Sequence, residues 1–164
     1  MSTANQDLYH INTGILPKDA CIVIVHTQWN PDIVNKLLEG CLNTLHHFGM
    51  NNYKVIQVPG AFEIPFAIKS SWESFQNKFE KPNVFIALGC VLRGGTPHFD
   101  YVCKAITDGI VQLNLMLPVP TIFGVLTLDN QQQADERTGG AHGNKGEEAA
   151  LTALKMIELK YSIG

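Results

Sequence analysis

Three short runs of apolar residues, unbroken by charge, limit what this chain can fold into. Residues 20–26 read ACIVIVH, 83–89 read NVFIALG and 121–128 read TIFGVLTL. A strand with one wet face alternates apolar and polar residues, whereas a strand that is apolar throughout is covered on both faces. Strands of that kind belong in a parallel sheet between layers of helices. A fourth, more mixed run, YKVIQV, occupies residues 53–58. The segments between the runs carry apolar residues at helical spacing. Ile33, Val34, Leu37, Leu38, Cys41, Leu42, Leu45 and Phe48 form the first set, closed by Gly49. Ile64, Ala67, Ile68, Trp72, Phe75 and Phe79 form the second, and Phe99, Val102, Cys103, Ile106, Ile110, Leu113 and Leu117 the third. The segment NQQQADERTGG predicts a short polar helix capped by glycine, and NKGEEAALTALKMIELKY predicts a closing helix. The order is βαβαβαβα(α), an α/β fold built as a three-layer α/β/α sandwich on a four-stranded parallel sheet.

With 164 residues, 45% of them hydrophobic, the chain can bury a single core. The expectation is one domain over residues 1–164, with residues 1–18 as an N-terminal arm. The net charge of -3 is spread along the chain, and no Lys/Arg cluster points to nucleic acid or to an anionic membrane. A small anionic ligand needs only a few local cations. The run 109–128 is uncharged, but Gln112, Asn114, Pro118 and Pro120 interrupt it, so it reads as a helix end, a turn and a buried strand. Cys21, Cys41, Cys90 and Cys103 form no C-x-x-C pair, and the N-terminus lacks the layout of a secretory signal. They read as reduced thiols of a cytoplasmic protein, with a reactive thiol at Cys90 as the alternative. His46 and His47 are adjacent and do not share a helix face, and His10, His26 and His142 add no ligand spacing, so no metal site is expected.

In a parallel sheet of this kind, ligands bind beyond the carboxyl ends of the strands. The chemically special residues fall there. The first strand ends at Trp29-Asn30, where an exposed indole can stack on a flat heterocycle or pack on the edge of the core. The second ends in PGAFE, where Glu63 opens a helix and can accept from ligand hydroxyls. The third ends in LRGGTPH. Gly94 and Gly95 allow close backbone approach, Thr96 suits the N-cap and Pro97 the first helical position. Such a helix start is an anion site, although a plain turn needing glycines reads the same. His98, beside that cradle, can take a proton and return it. After the fourth strand come Arg137, a phosphate fork or a helix-end cation, and Lys145, a surface lysine or a hydroxyl or phosphate contact. Counted from Gly89 or from Gly139 the spacing is not that of a Walker A loop, and no G-x-G-x-x-G follows the first strand.

Four blocks in order, VPGAFEIP, LGCVLRGGTPHFDYVC, PTIFGVLT and ERTGGAHGNKGEEAA, resemble the 6,7-dimethyl-8-ribityllumazine synthase family over residues 21–159. The resemblance implies a flavodoxin-like sheet. It also implies condensation of 5-amino-6-(D-ribitylamino)uracil with 3,4-dihydroxy-2-butanone 4-phosphate, with no cofactor and no metal. It implies a homopentamer, or a shell of twelve pentamers that can enclose riboflavin synthase, with the active site between subunits. By position, His98 matches the acid/base histidine and Trp29 the aromatic that stacks on the pyrimidine. Ala61, Phe62 and Glu63 match the ribityl block, assisted by Lys145. Val91 and Leu92 match the backbone that reads the uracil edge. Gly95, Thr96 and Arg137 match the phosphate binders, and Phe123 the aromatic supplied by the neighbouring subunit. Gly140-Ala141 replaces the threonine-lysine pair common in the family, which implies one cation fewer near the phosphate. Cys90 and Pro97 stand where threonines are usual. The loop 137–146 lacks the insertion seen in members that stop at pentamers. Two rival readings stay open here: a module that binds a flavin or ribityl compound without catalysis, and a shell protein that has lost it.

Overall fold

The computed structural model describes residues 10–12, 14, 16–75 and 80–163. The order of elements is β1 (Cys21–Thr27), α1 (Pro31–His47), β2 (Tyr53–Val58), α2 (Ile64–Phe75), β3 (Pro82–Leu92), α3 (His98–Met116), β4 (Thr121–Leu128), α4 (Gln131–Arg137), β5 (Thr138–Gly140), β6 (Gly143–Asn144) and α5 (Lys145–Ile163). A single 3-10 turn, Ala61–Glu63, precedes α2. Phe79, expected at the end of the second helix, lies outside the described residues, as do residues 1–9 of the expected arm.

The main sheet has the order β2-β1-β3-β4, and each of its pairings is parallel. Both faces are covered, as the unbroken apolar runs require. Successive side chains of a strand point to opposite faces. Ile22, Ile24, Ile86 and Leu88 therefore pack toward one layer with Cys41, Leu45, Ala150 and Leu154 of α1 and α5. Val23, Val25, Phe85 and Ala87 pack toward the other with Ile64, Ile68, Ile106 and Ile110 of α2 and α3. This is the three-layer α/β/α sandwich expected from the sequence. Leu16 is buried and Ile11 packs on the first of these layers, so the described part of the arm lies on the core.

Three local features differ from expectation. β3 continues past Gly89, because Cys90, Val91 and Leu92 keep their register with Leu126, Thr127 and Leu128. A small antiparallel hairpin, β5–β6, joins α4 to α5. At α3 the helix begins at His98, and Pro97 rather than Thr96 holds the cap position, with φ -62 and ψ -6. The carbonyl of Pro97 accepts from the Asp100 N–H at 3.0 Å. Pro97 is already turned toward helical angles, so the hydroxyl of Thr96 is not called on as a cap.

Candidate active site

The strand order reverses at β1: the chain goes from β1 to β2 on one side and then to β3 on the other. Such a switch point opens a crevice between the carboxyl ends of β1 and β3. β1 pairs with β3 only as far as His26 with Leu88, whereas β3 pairs with β4 as far as Leu92. The last residues of β3, including the half-buried Val91 and Leu92, therefore offer their β1-facing edge to the crevice.

The turn after β1 is tied to both neighbouring strands. The Gln28 N–H donates to the carbonyls of Val58 and Pro59 at 2.8 and 3.2 Å, and the Trp29 N–H donates to Pro59 at 3.2 Å. Asn30 adopts the left-handed conformation, φ 57, that asparagine tolerates better than most residues. Its side-chain amide donates to the Cys90 carbonyl at 3.1 Å. Trp29 is thereby held between the ends of β2 and β3. The residue is 64% exposed, which sets aside the edge-of-core reading and leaves aromatic surface for a ligand. The indole lies across Gly60: a Cβ there would come within 2.6 Å of Cε3 and Cζ3.

The second corner is closed by Glu63, whose carboxylate accepts from the Gly60 N–H at 3.0 Å as in a capping box. Ala61 is buried behind it and Phe62 is exposed. At the third corner Gly94, Gly95, Thr96 and His98 are all exposed. A Cβ on Gly94 or Gly95 would meet nothing within 4 Å, so the loop stands in open space. Arg93 at its root is held by Asp129 and Asp100. The bond to Asp129 first, and that to Asp100 second, push the guanidinium pKa up. In return Arg93 pulls the Asp129 carboxyl below its usual value.

Phe123, Arg137 and Lys145 gather elsewhere. They line an open cleft of about 470 Å³ along the free edge of β4, together with Asn114, Glu148 and Thr152. The lining includes none of the residues of the switch-point crevice. Arg137 donates to the Gln133 carbonyl at 3.0 Å and pairs with Glu136 at 3.4 Å. Lys145 is not the surface lysine of its default reading: it is 7% exposed and pairs with Glu148 at 2.5 Å. One copy of the chain thus carries two separate groups, one polar and aromatic at the sheet's end, one cationic at its edge.

The reactive-thiol alternative at Cys90 fails. The residue is buried, and burial, with a smaller contribution from Cys103, pushes its thiol up to about 11. Among the described residues no three His, Cys, Asp or Glu side chains are grouped as metal ligands. Nor is any helix long and apolar enough to cross a membrane. Sequence reasoning missed Asn30, Gly60, Asp129 and Glu148 at these two places. Only Glu148 carried a local signal, standing three residues after Lys145 on the same helix face.

A parallel α/β/α sandwich of flavodoxin-like order, with an indole and a glycine-rich helix start at its switch point, defines a class of small-ligand protein. The family described as 6,7-dimethyl-8-ribityllumazine synthase matches residues 19–161. A protein of that name from Parabacteroides distasonis is 47% identical, over 96% of this chain and 98% of its own. One from Porphyromonas gingivalis is 46% identical over 98% and 99%. Another from Phocaeicola vulgatus is 42% identical over 99% and 96%. The chain belongs to the 6,7-dimethyl-8-ribityllumazine synthase family.

Proposed function

We propose that the chain condenses 5-amino-6-(D-ribitylamino)uracil with 3,4-dihydroxy-2-butanone 4-phosphate to give 6,7-dimethyl-8-ribityllumazine, phosphate and water, in riboflavin biosynthesis. The observation that carries this reading is the set of groups that the structure brings to the carboxyl ends of β1, β2 and β3. It offers a stacking face at Trp29, strand-edge backbone at Val91 and Leu92, and an open glycine loop leading to an exposed imidazole. Each answers one part of the two substrates. The uracil stacks on Trp29 and is read by the Val91 and Leu92 backbone. The ribityl chain runs along Ala61, Phe62 and Glu63. The phosphate sits against Gly95 and Thr96.

The chemistry balances without an oxidant or a metal. The ring amine attacks the ketone to give a carbinolamine, which loses water to form an imine. Phosphate leaves as an enol forms, the enol tautomerises to a ketone, and the ribitylamine nitrogen closes the ring with loss of a second water. His98 shuttles the protons. Holding two reactants together supplies much of the acceleration, because their encounter in solution costs translational and rotational freedom.

The second half-site completes the pocket from a neighbouring copy. Phe123 would close over the heterocycle, Arg137 would clamp the phosphate, and Lys145 would reach the ribityl hydroxyls. What supports this is that these three line a cleft of their own, on an edge strand that has no partner on one side among the described residues. The exposed apolar residues Phe66, Tyr101, Leu115 and Met116 give further surface for contact between copies. We assign the chain to a homopentamer, with the shell of twelve pentamers and enclosed riboflavin synthase as its larger form, in the cytoplasm. The test is direct: mix the protein with both substrates and follow lumazine fluorescence and phosphate release together. The two should appear in equal amounts and require both substrates. Assembled protein that yields neither would refute the proposal.

A further inference from the structure

The loop carrying the proposed phosphate cradle has almost nothing to hold it. Among the described residues Gly94, Gly95 and Thr96 make no hydrogen bond, and a side chain on either glycine would touch nothing within 4 Å. The His98 side chain likewise has no hydrogen-bond partner among the described residues and is exposed. Its position is therefore inherited from the first turn of α3 and from the root of the loop at Arg93.

Arg93 joins those two points. Its backbone N–H donates to the Leu128 carbonyl at 2.8 Å, fastening the end of β3 to the end of β4. Its Nε donates to Asp129, just past β4, at 2.7 Å. The two terminal nitrogens reach the two oxygens of Asp100, in the first turn of α3, at 3.2 and 3.5 Å. The guanidinium carbon stands 4.0 Å from the centroid of the Phe99 ring, a cation–π contact with the residue after His98. One side chain thus grips both residues that follow His98 and ties them to two strand ends. Only arginine presents a rigid planar fork able to make all of these contacts at once.

The alternative role, a direct phosphate ligand, fits the geometry poorly. The guanidinium already faces two carboxylates, which offset its charge and occupy donors on all three nitrogens. The ion pairs are exposed, and exposed pairs contribute little to global stability. Their effect is on where the helix start sits.

We propose that Arg93, with Asp129 and Asp100, is a positioning residue that sets the place of His98 over the reacting atoms. The inference rests on the condensation reading above. The test is a double-mutant cycle on turnover, Arg93→Gln made in the wild-type chain and in His98→Ala, with both Michaelis constants and the melting temperature measured. In the wild-type chain, kcat is expected to fall about tenfold, because a misplacement of about 1 Å costs up to about 100-fold. Both Michaelis constants should stay within about twofold and the melting temperature within a few degrees. In the His98→Ala chain the same substitution should cost less than about twofold, since groups that act as a unit are not additive. Asp129→Asn should show a smaller loss of the same pattern.

Equal losses in the two backgrounds would overturn the inference, as they would mark a general structural effect. So would an unchanged kcat with a raised Michaelis constant for the phosphorylated substrate, the signature of a phosphate ligand. Both outcomes leave the condensation reading standing. A folded wild-type chain that forms no lumazine would remove that reading and this one with it.

Discussion

Replacing Gly60 by alanine adds one methyl group where the Trp29 ring lies. The new Cβ would sit 2.6 Å from Cε3 and Cζ3 of the indole. Ordinary carbon contacts are about 3.5–4.0 Å, so the ring must give way by about 1 Å. The backbone itself accepts alanine, because Gly60 is extended at φ -140 and ψ 178. The indole is exposed, so it can move without opening the core. The cost therefore falls on substrate binding rather than on folding. An aromatic stacking contact is worth about 0.5–1.5 kcal/mol, a factor of about 2–10 in affinity. The Michaelis constant for the pyrimidine substrate is expected to rise about fivefold to tenfold. That for the phosphorylated substrate should stay within about twofold, and the melting temperature within a few degrees. Initial rates with each substrate varied in turn give both constants, and quenching of tryptophan fluorescence by the pyrimidine gives an independent affinity. An unchanged pyrimidine constant in folded protein would refute the stacking role of Trp29.

Arg137→Ala is expected to raise the Michaelis constant for the phosphorylated substrate by about tenfold or more while leaving the pyrimidine constant near its original value, measured by steady-state kinetics. Glu148→Gln leaves the Lys145 ammonium buried without its carboxylate, so stability should fall on the order of 3 kcal/mol, seen as a melting temperature lower by roughly 5–12 °C. Burial raises the Cys41 thiol from 9.0 to about 12 and that of Cys90 from 9.0 to about 11. Between pH 9 and 11 the unfolded chain gives up these protons and the fold keeps them. Stability should therefore fall as pH rises through that window, and in the native state at pH 8 neither thiol should react with a disulfide reagent within minutes. Rapid labelling of Cys90 in the native protein would contradict the burial argument.

What could be read from the sequence was whatever a local pattern encodes. The unbroken apolar runs placed β1, β3 and β4, the mixed run 53–58 placed β2, and the helical spacing placed α1, α2 and α3, because burial on two faces or along one stripe leaves a period in the chain. Gly89 looked like the end of β3, yet its lack of a side chain serves packing: a Cβ there would come within 3.1 Å of the Thr27 methyl group. The Thr96-Pro97 pair looked like a cap and a first helical residue, but Pro97's own carbonyl took the first turn. The ties that shape the half-sites span long stretches of chain and leave no local trace. Asn30 reaches Cys90 across 60 positions and Arg93 reaches Asp129 across 36. The burial of Lys145 likewise depends on a cleft formed by β4 and α5, which no spacing announces.

The central claim is that each working pocket takes the Trp29–His98 crevice from one copy and the Arg137 cleft from the next. Mixed oligomers test it most directly. His98→Ala and Arg137→Ala chains are unfolded together at equal amounts, reassembled, and assayed for lumazine formation at low concentrations of both substrates. With random placement around a closed ring, about a quarter of the pockets would draw both halves from unaltered surfaces. Activity should rise to about a quarter of the wild-type value, well above either variant alone. Activity that stays at the average of the two reassembled variants would show that each pocket lies within a single chain.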